Sequence, residues 1–448
     1  MDTIVIVNID SDKAANLIAT RIREHNVYTE TVDIKEDSSS QKKSATKHVK
    51  GYILTSSDRS ILESAKDYKL PNYVLEAGVP ILGIGYGMHA LVNRLGGGIN
   101  PKVAILGEVQ LDVKTWSGYN FFSMLASKFP VQVSHTDIVS TLPKGFTSVA
   151  STPNCPNAVI ADCTRDYYGF QFHPELSSQD FMRTFAIDIC GCSPTWTMAN
   201  YLKTQVTALR LQVMSTKVYT PLTTSRESLV AAALVQKAVG INARNVFIPT
   251  GIMRKNEVET LLNCDPKVLE IEVLNEVDLF PVLENCYTAR EKYDVIEEKL
   301  VDVHSGNHNG EIVAVCNDLG DMMILETVHA VYPLKSLLPF EIEQLGRELG
   351  LPENLLTRQQ IPLSELAHRC VGMITPDRMK ILREADSIMC KALAKQKVTA
   401  SHRVLLVPIE SKETVVLYCS QPCDYRDISK QIQAELPAVK FVTVDITD

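Results

Sequence analysis

The stretch that most constrains this chain runs from Gly78 to Gly98 and reads GVPILGIGYGMHALVNRLGGG. A short apolar run, Val79 to Ile84, leads through Gly83, Gly85 and Gly87 into a second apolar segment, Met88 to Leu95, which stops at three glycines. That order predicts a strand, a tight elbow and a helix capped by Gly96. An elbow of this kind lifts one side chain clear of the sheet and sets backbone N–H groups around it, as a nucleophile and an oxyanion require. The residue expected at the apex is Cys or Ser. Here it is Gly85, which has no side chain.

The flanking sequence says what sheet the elbow belongs to. Ile4 to Val7 is a continuous apolar run of the kind a strand buried on both faces shows. After the turn Asp10-Ser11-Asp12, Leu17, Ile18 and Ile22 give a helical stripe, and Val27 to Val32 and Lys50 to Thr55 read as further strands. The polar stretch Glu36 to Lys47 between them reads as a solvated loop. Strand alternating with helix argues for a parallel α/β sheet. At 448 residues the chain is long enough for about three domains.

About ninety residues after the elbow comes Tyr168-Gly169-Phe170-Gln171-Phe172-His173-Pro174-Glu175. With the elbow before it, this segment resembles the Q-F-H-P-E motif of class I glutamine amidotransferases, whose elbow pattern is G-x-C-x-G. The resemblance implies a flavodoxin-like amidotransferase domain over 1–197, with His173 as general base and Glu175 as the acid that orients it. Such a triad works by a thiolate made by the His, and Gly85 stands at the nucleophile position. The opening residues and KGYILTSSDRSI resemble GMP synthetase more specifically. There Ser56 and Ser57 replace two glycines expected to present N–H groups to the oxyanion, Asp58 adds a negative charge, and His89 replaces a Gln. Lost together, these read as natural decay rather than one engineered change. Ser134-His135-Thr136-Asp137 falls where the family has S-H-G-D, a loop near the glutamine pocket; its residue types equally suit a capped turn.

The likeness continues. An amphipathic segment, Met198 to Met214, bridges to a second region, 198–360, expected to be an adenine-nucleotide-hydrolase-like parallel α/β domain. Its strand-loop-helix, Lys217 to Gly240, sits where GMP synthetase carries S-G-G-V-D-S, the ATP-pyrophosphatase loop. Phosphate loops need glycine so that backbone N–H groups approach without a Cβ in the way. This chain has Thr223-Thr224-Ser225-Arg226-Glu227-Ser228, preceded by Pro221. Thr223, Ser225, Glu227 and Ser228 are therefore the candidates for what remains of the ATP site, with Thr223 or Ser225 alternatively a helix cap. Arg226 is either a phosphate partner or a solvated arginine. Arg254, Lys255 and Glu257 match the family's R-K-x-E and can also be read as helix-surface pairs. Val315 to Asp318, with Asp321 and Glu326, occupy the place of G-T-x-x-P-D-x-I-E-S. Leu334 to Pro352 predicts an amphipathic helix ending at Gly350.

From Ile361 to Asp448 the expected order is α-β-β-α-β: a helix from Pro376 to Lys395 with Leu382, Ile388, Met389 and Leu393 on one face, strands from Arg403 to Pro408 and Thr414 to Cys419, a helix from Tyr425 to Leu436, and a strand from Val439 to Ile446. This resembles the family's small α+β dimerisation domain, implying a homodimer or a heterodimer with an active relative. Ile361 to Ala367 takes the place of a substrate-side loop, and the family's tail beyond D-I-T, which helps hold XMP, has no counterpart.

Four eroded places, the nucleophile, the oxyanion loop, the phosphate loop and the XMP tail, lead to the expectation of a catalytically inactive GMP-synthetase-like protein that binds a nucleotide or a protein partner. The alternatives are residual synthesis of GMP from XMP, ATP and ammonia or glutamine, and a nucleotide sensor without turnover. No cofactor is expected, ATP and Mg²⁺ entering only if activity survives. A net charge of −8 gives no reason to expect nucleic acid or an acidic membrane surface. Eleven scattered Cys read as reduced thiols, and Cys190-Gly191-Cys192 is too tight for a zinc pair, so no metal is expected. With no signal peptide and no apolar run of about 18 residues, the expectation is a cytosolic or nuclear protein.

Overall fold

The computed structural model describes residues 1–34, 48–57, 60–64, 69–114, 127–307, 311–314, 329–357, 366–398, 400–409 and 412–445. The loop expected at Glu36 to Lys47, Asp58, the segment Val315 to Asp318 with Asp321 and Glu326, the loop from Ile361 to Glu365, and Ile446 to Asp448 lie outside these residues. The chain divides into two units, Met1–Thr197 and Met198–Asp448.

In the first unit β1 (Thr3–Asn8) is buried from Ile4 onward, as its apolar run requires. It pairs in parallel with β2 (Tyr28–Asp33) on one side and β3 (Val49–Leu54) on the other. Helix Asp12–Arg23 crosses between β1 and β2. Ser11 caps it, its hydroxyl accepting from the N–H of Ala14, and Ala15, Ile18, Ala19 and Ile22 are its buried stripe. The elbow strand β4 (Ile81–Ile84) lies between β3 and β9 (Tyr167–Phe170), parallel to both. Beyond β9 the sheet turns antiparallel through β8 (Cys155–Asp162), β7 (Thr147–Thr152), β5 (Gly98–Val113) and β6 (Lys128–Thr141). Among the described residues the order is β2-β1-β3-β4-β9-β8-β7-β5-β6. The parallel sheet read from the sequence is thus half of the observed one.

The second unit holds two sheets. The larger is parallel, in the order β12 (Glu272–Val273), β11 (Ala243–Phe247), β10 (Val218–Leu222), β13 (Ile312–Ala314) and β14 (Ala330–Val331). Helix Arg226–Val239 follows β10 and is buried nearly all round, hence its run of Leu, Val and Ala. Helix Met198–Val213 opens the unit, and helix Pro339–Leu349 ends at Gly350 in a left-handed conformation with φ +88°.

The smaller sheet, β15 (His402–Ile409), β16 (Lys412–Cys419) and β17 (Val439–Val444), pairs antiparallel then parallel. Helix Pro376–Lys395 precedes it and helix Tyr425–Glu435 crosses between β16 and β17. Leu382, Ile388, Met389 and Leu393 are buried in a core that also takes in Ile248, Ile252, Leu279, Val404 and Leu417. No helix among the described residues is long and apolar enough to cross a membrane.

Candidate active site

The elbow is built by close packing. All four residues of β4 are buried, and helix Tyr86–Arg94 turns back over the sheet directly from it. A Cβ on Gly87 would stand 2.6 Å from the Cβ of Leu54, so the helix can approach β3 only with glycine there. Gly85 has φ +52° and ψ −112°, a conformation that side chains rarely adopt. Its N–H donates to the carbonyl of Phe170 at 2.7 Å, and the N–H of Gly87 donates to that of Thr55 at 3.1 Å. The elbow thus has a backbone conformation open to glycine and costly to other residues, and its apex carries no side chain.

His173 and Glu175 are held as a pair. Nδ1 of His173 lies 2.9 Å from Oε1 of Glu175, whose side chain is 3% exposed on the short turn Pro174–Leu176. A carboxylate accepting from Nδ1 places the ring proton there and leaves Nε2 as the basic nitrogen. The main chain of His173 is pinned by its N–H donating to the carbonyl of Gln132, and Arg21 Nε donates to the carbonyl of Glu175. The two residues that the resemblance named as base and orienter are thus in contact in the structure. One further member of the motif was not foreseen: Gln171 Oε1 sits 2.8 Å from Nε2 of His89 on the elbow helix. Burial pulls the His89 pKa down, while the Gln171 bond and the Asp137 charge act the other way.

A cavity of about 310 Å³ opens beside the elbow, with Gly85, Tyr86, His89 and Ser57 on one side and Ser134, Thr136 and Asp137 on another. The segment Ser134 to Asp137 is neither a loop nor a turn, as the sequence suggested, but the middle of β6. Ladder pairing with β5 overrides the turn preference of Ser, Thr and Asp, with His135 opposite Ile105 and Asp137 opposite Pro101. Asp137 is buried, and its Oδ2 accepts from Ser60 Oγ at 2.7 Å and from the N–H of Ile61 at 3.0 Å.

In the second unit the loop after β10 is closed on itself. Ser225 caps helix Arg226–Val239, its hydroxyl accepting from the N–H of Ser228 at 3.1 Å. The N–H of Thr223 donates to Ser228 Oγ at 2.9 Å, and that of Ser225 to Thr223 Oγ1 at 3.2 Å. Three backbone donors of the loop, the N–H groups of Thr223, Ser225 and Ser228, are committed to hydroxyls of the loop itself. Arg226 is half-buried rather than solvated. It bridges Glu227 at 3.1 Å and Glu343 at 3.3 Å, which also accounts for Glu227.

Arg254 and Lys255 are not helix-surface pairs. Arg254 Nε is 3.0 Å from Asp386, and Lys255 Nζ is 2.6 Å from Glu384, both on helix Pro376–Lys395. Glu257 Oε2 accepts from the backbone N–H of Arg254. The motif ties its loop to helix Pro376–Lys395. The structure also gathers Asp386, Cys390 and His402, whose ligand atoms lie within 4.8 Å of one another. Only the helical spacing of Asp386 and Cys390 was visible in the sequence, since His402 arrives from a strand.

The fold of the first unit, its elbow and its His–Glu pair define an architecture of the class I glutamine amidotransferases, and the model of the family Glutamine amidotransferase class-I matches residues 7–189. The GMP synthase [glutamine-hydrolyzing] of Acetivibrio thermocellus is 33% identical over 408 residues, covering 83% of this chain and 78% of its own. That of Brucella melitensis is 32% identical over 431 residues, covering 88% and 84%. A glutamine amidotransferase from Thermotoga maritima, of solved structure, matches 43% of this chain and 87% of its own at 18% identity and a TM-score of 0.33. The chain belongs to the glutamine-hydrolysing GMP synthase family.

Proposed function

We propose that this member of the GMP synthase family does not hydrolyse glutamine and acts by binding a nucleotide or a protein partner. Gly85 at the apex of the elbow is the observation that carries the reading. His173 and Glu175 remain paired, but the apex offers them no thiol to deprotonate. The closed loop Thr223 to Ser228 supports the same reading for the synthetase half. With it go a cytosolic or nuclear location, a division of the second unit into 198–360 and 361–448, and a dimer, with itself or an active relative, through 361–448.

A second reading has its own observation. Both curated relatives above bear the name GMP synthase, at about a third identity over most of the chain. Kinship of that extent supports retained synthesis of GMP, from XMP, ATP with Mg²⁺ and ammonia, better than it supports inactivity, for which geometry alone speaks. The third reading, a nucleotide sensor, differs from the second in binding without product.

Thermal shift of the full chain with ATP, XMP, GMP and glutamine, followed by turnover assays with glutamine and with ammonia, separates them. A ligand at a hundredfold above its dissociation constant adds about 2.7 kcal/mol of stability. The leading reading expects no glutamate and no GMP under either condition. GMP formed with ammonia but not glutamine replaces it by the second reading, and glutamate formed from glutamine refutes it. A shift with XMP or ATP without GMP selects nucleotide binding over a protein partner alone, and with it the sensor.

A further inference from the structure

We propose that Asp386, Cys390 and His402 form a binding site for one thiophilic divalent cation of the zinc class. Asp386 and Cys390 stand one turn apart on the same face of helix Pro376–Lys395, and His402 is the first residue of β15. Cys390 Sγ is 3.3 Å from His402 Nε2 and 3.9 Å from Asp386 Oδ2. Tetrahedral zinc, bonded at about 2.3 Å to sulfur and about 2.0–2.2 Å to nitrogen and oxygen, holds such atoms about 3.4–3.6 Å apart. The two separations from the sulfur bracket that range and all three ligand atoms lie within 4.8 Å of one another, so rotations of the side chains admit the ion.

The ligands are already oriented. His402 Nδ1 lies 3.4 Å from the carbonyl oxygen of Ala400, the outer-shell bond that directs Nε2 toward a metal. Asp386 Oδ1 accepts from Arg254 and Arg369, each at 3.3 Å, and Oδ2 faces the sulfur and Arg254 Nε. The two guanidinium groups also select the ion. Binding breaks the S–H bond of Cys390, forms a metal–sulfur bond and releases one proton, so the cluster gains one net positive charge beside two arginines. Hard cations held by oxygen alone, such as Mg²⁺ or Ca²⁺, cannot offset that cost; a strong bond to thiolate can. Cys390, partly exposed, gives the ion its way in and a water its place as fourth ligand. Bound there, the ion pins the helix to the first strand of the small sheet.

The test is a titration of the full-length, chelator-stripped protein with Co²⁺ as a spectroscopic stand-in for Zn²⁺. Expected are one Co²⁺ per chain, tetrahedral d–d bands, a thiolate charge-transfer band, one proton released per ion, and displacement by Zn²⁺. Cys390→Ser should abolish the charge-transfer band. His402→Gln should weaken binding at least about a hundredfold, the upper end of what loss of an outer-shell partner alone costs. No charge-transfer band at stoichiometric Co²⁺, or one that survives Cys390→Ser, overturns the site; survival would place the ion on other cysteines, Cys190 and Cys192 among them. Should Cys390→Ser fail to fold, alkylation of the unaltered protein decides: Zn²⁺ must slow labelling of Cys390, and unchanged labelling refutes the proposal.

Discussion

The Cβ that Gly85 lacks would stand 3.2 Å from the Cβ of Ser56. Ser56 follows β3, where the resemblance implies a glycine, so the two positions that depart from the family pattern meet in space. Gly85→Cys must therefore strain both backbone and neighbour. It should cost about 1–3 kcal/mol of stability, read by denaturant unfolding, and should not by itself yield glutamine hydrolysis. Adding Ser56→Gly removes the contact and should recover part of the loss. Hydrolysis by Gly85→Cys alone would show that the oxyanion site survives and that the thiol was the one missing part.

The Thr223 to Ser228 loop gives a second prediction. Ser225 accepts from the N–H of Ser228 as the cap of helix Arg226–Val239. Ser225→Ala should cost about 1 kcal/mol and Ser225→Gly only a few tenths. If the loop is a cap and no longer a cradle, Thr224→Gly with Ser225→Gly should bring no ATP-induced rise in melting temperature. Such a rise would show the hydroxyls to be a plug over a usable site.

What was legible in the sequence was what short-range pattern dictates. The elbow shows in its glycines, and the helix Pro376–Lys395 shows in Leu382, Ile388, Met389 and Leu393, because helical periodicity is written within the segment. The pair His173–Glu175 is two residues apart and came with its motif. Contacts between distant segments left no such trace. His89 meets Gln171 across 82 positions and Arg254 meets Asp386 across 132, and neither residue type announces its partner. Ser134 to Asp137 misled for a related reason: turn-forming residues became a strand because β5 supplies the ladder.

The two ties between the Arg254-Lys255 loop and helix Pro376–Lys395 should differ sharply in strength. Asp386 is 3% exposed and faces Arg254 and Arg369, the latter only 4% exposed. Asp386→Ala leaves two guanidinium groups without their buried counter-ion and should cost about 3–5 kcal/mol. Lys255 and Glu384 are about a third exposed, where water and salt screen the pair, and Glu384→Ala should cost less than about 1 kcal/mol. Urea unfolding of the two variants side by side measures the contrast; similar losses would mean that the shorter, exposed pair carries the contact after all.

Acid should weaken the second unit through His304. Its Nδ1 lies 2.7 Å from the hydroxyl of Tyr219 inside the unit, and burial pulls its pKa from 6.5 down to about 4. The folded chain then holds fewer protons than the unfolded chain between about 4 and 6.5. Stability is fully present above about 6.5, falls as the pH drops through that window, and the contribution is gone below about 4. The displacement corresponds to on the order of 3 kcal/mol. His368, lowered to about 4 by burial first and then by Arg369 and Lys292, adds in the same direction but less, being partly exposed. His304→Gln keeps an acceptor for Tyr219 and removes the titration, so urea unfolding from pH 4 to 8 should show a shallower fall for this variant. An unchanged slope would mean that the acid sensitivity of the unit lies in other groups.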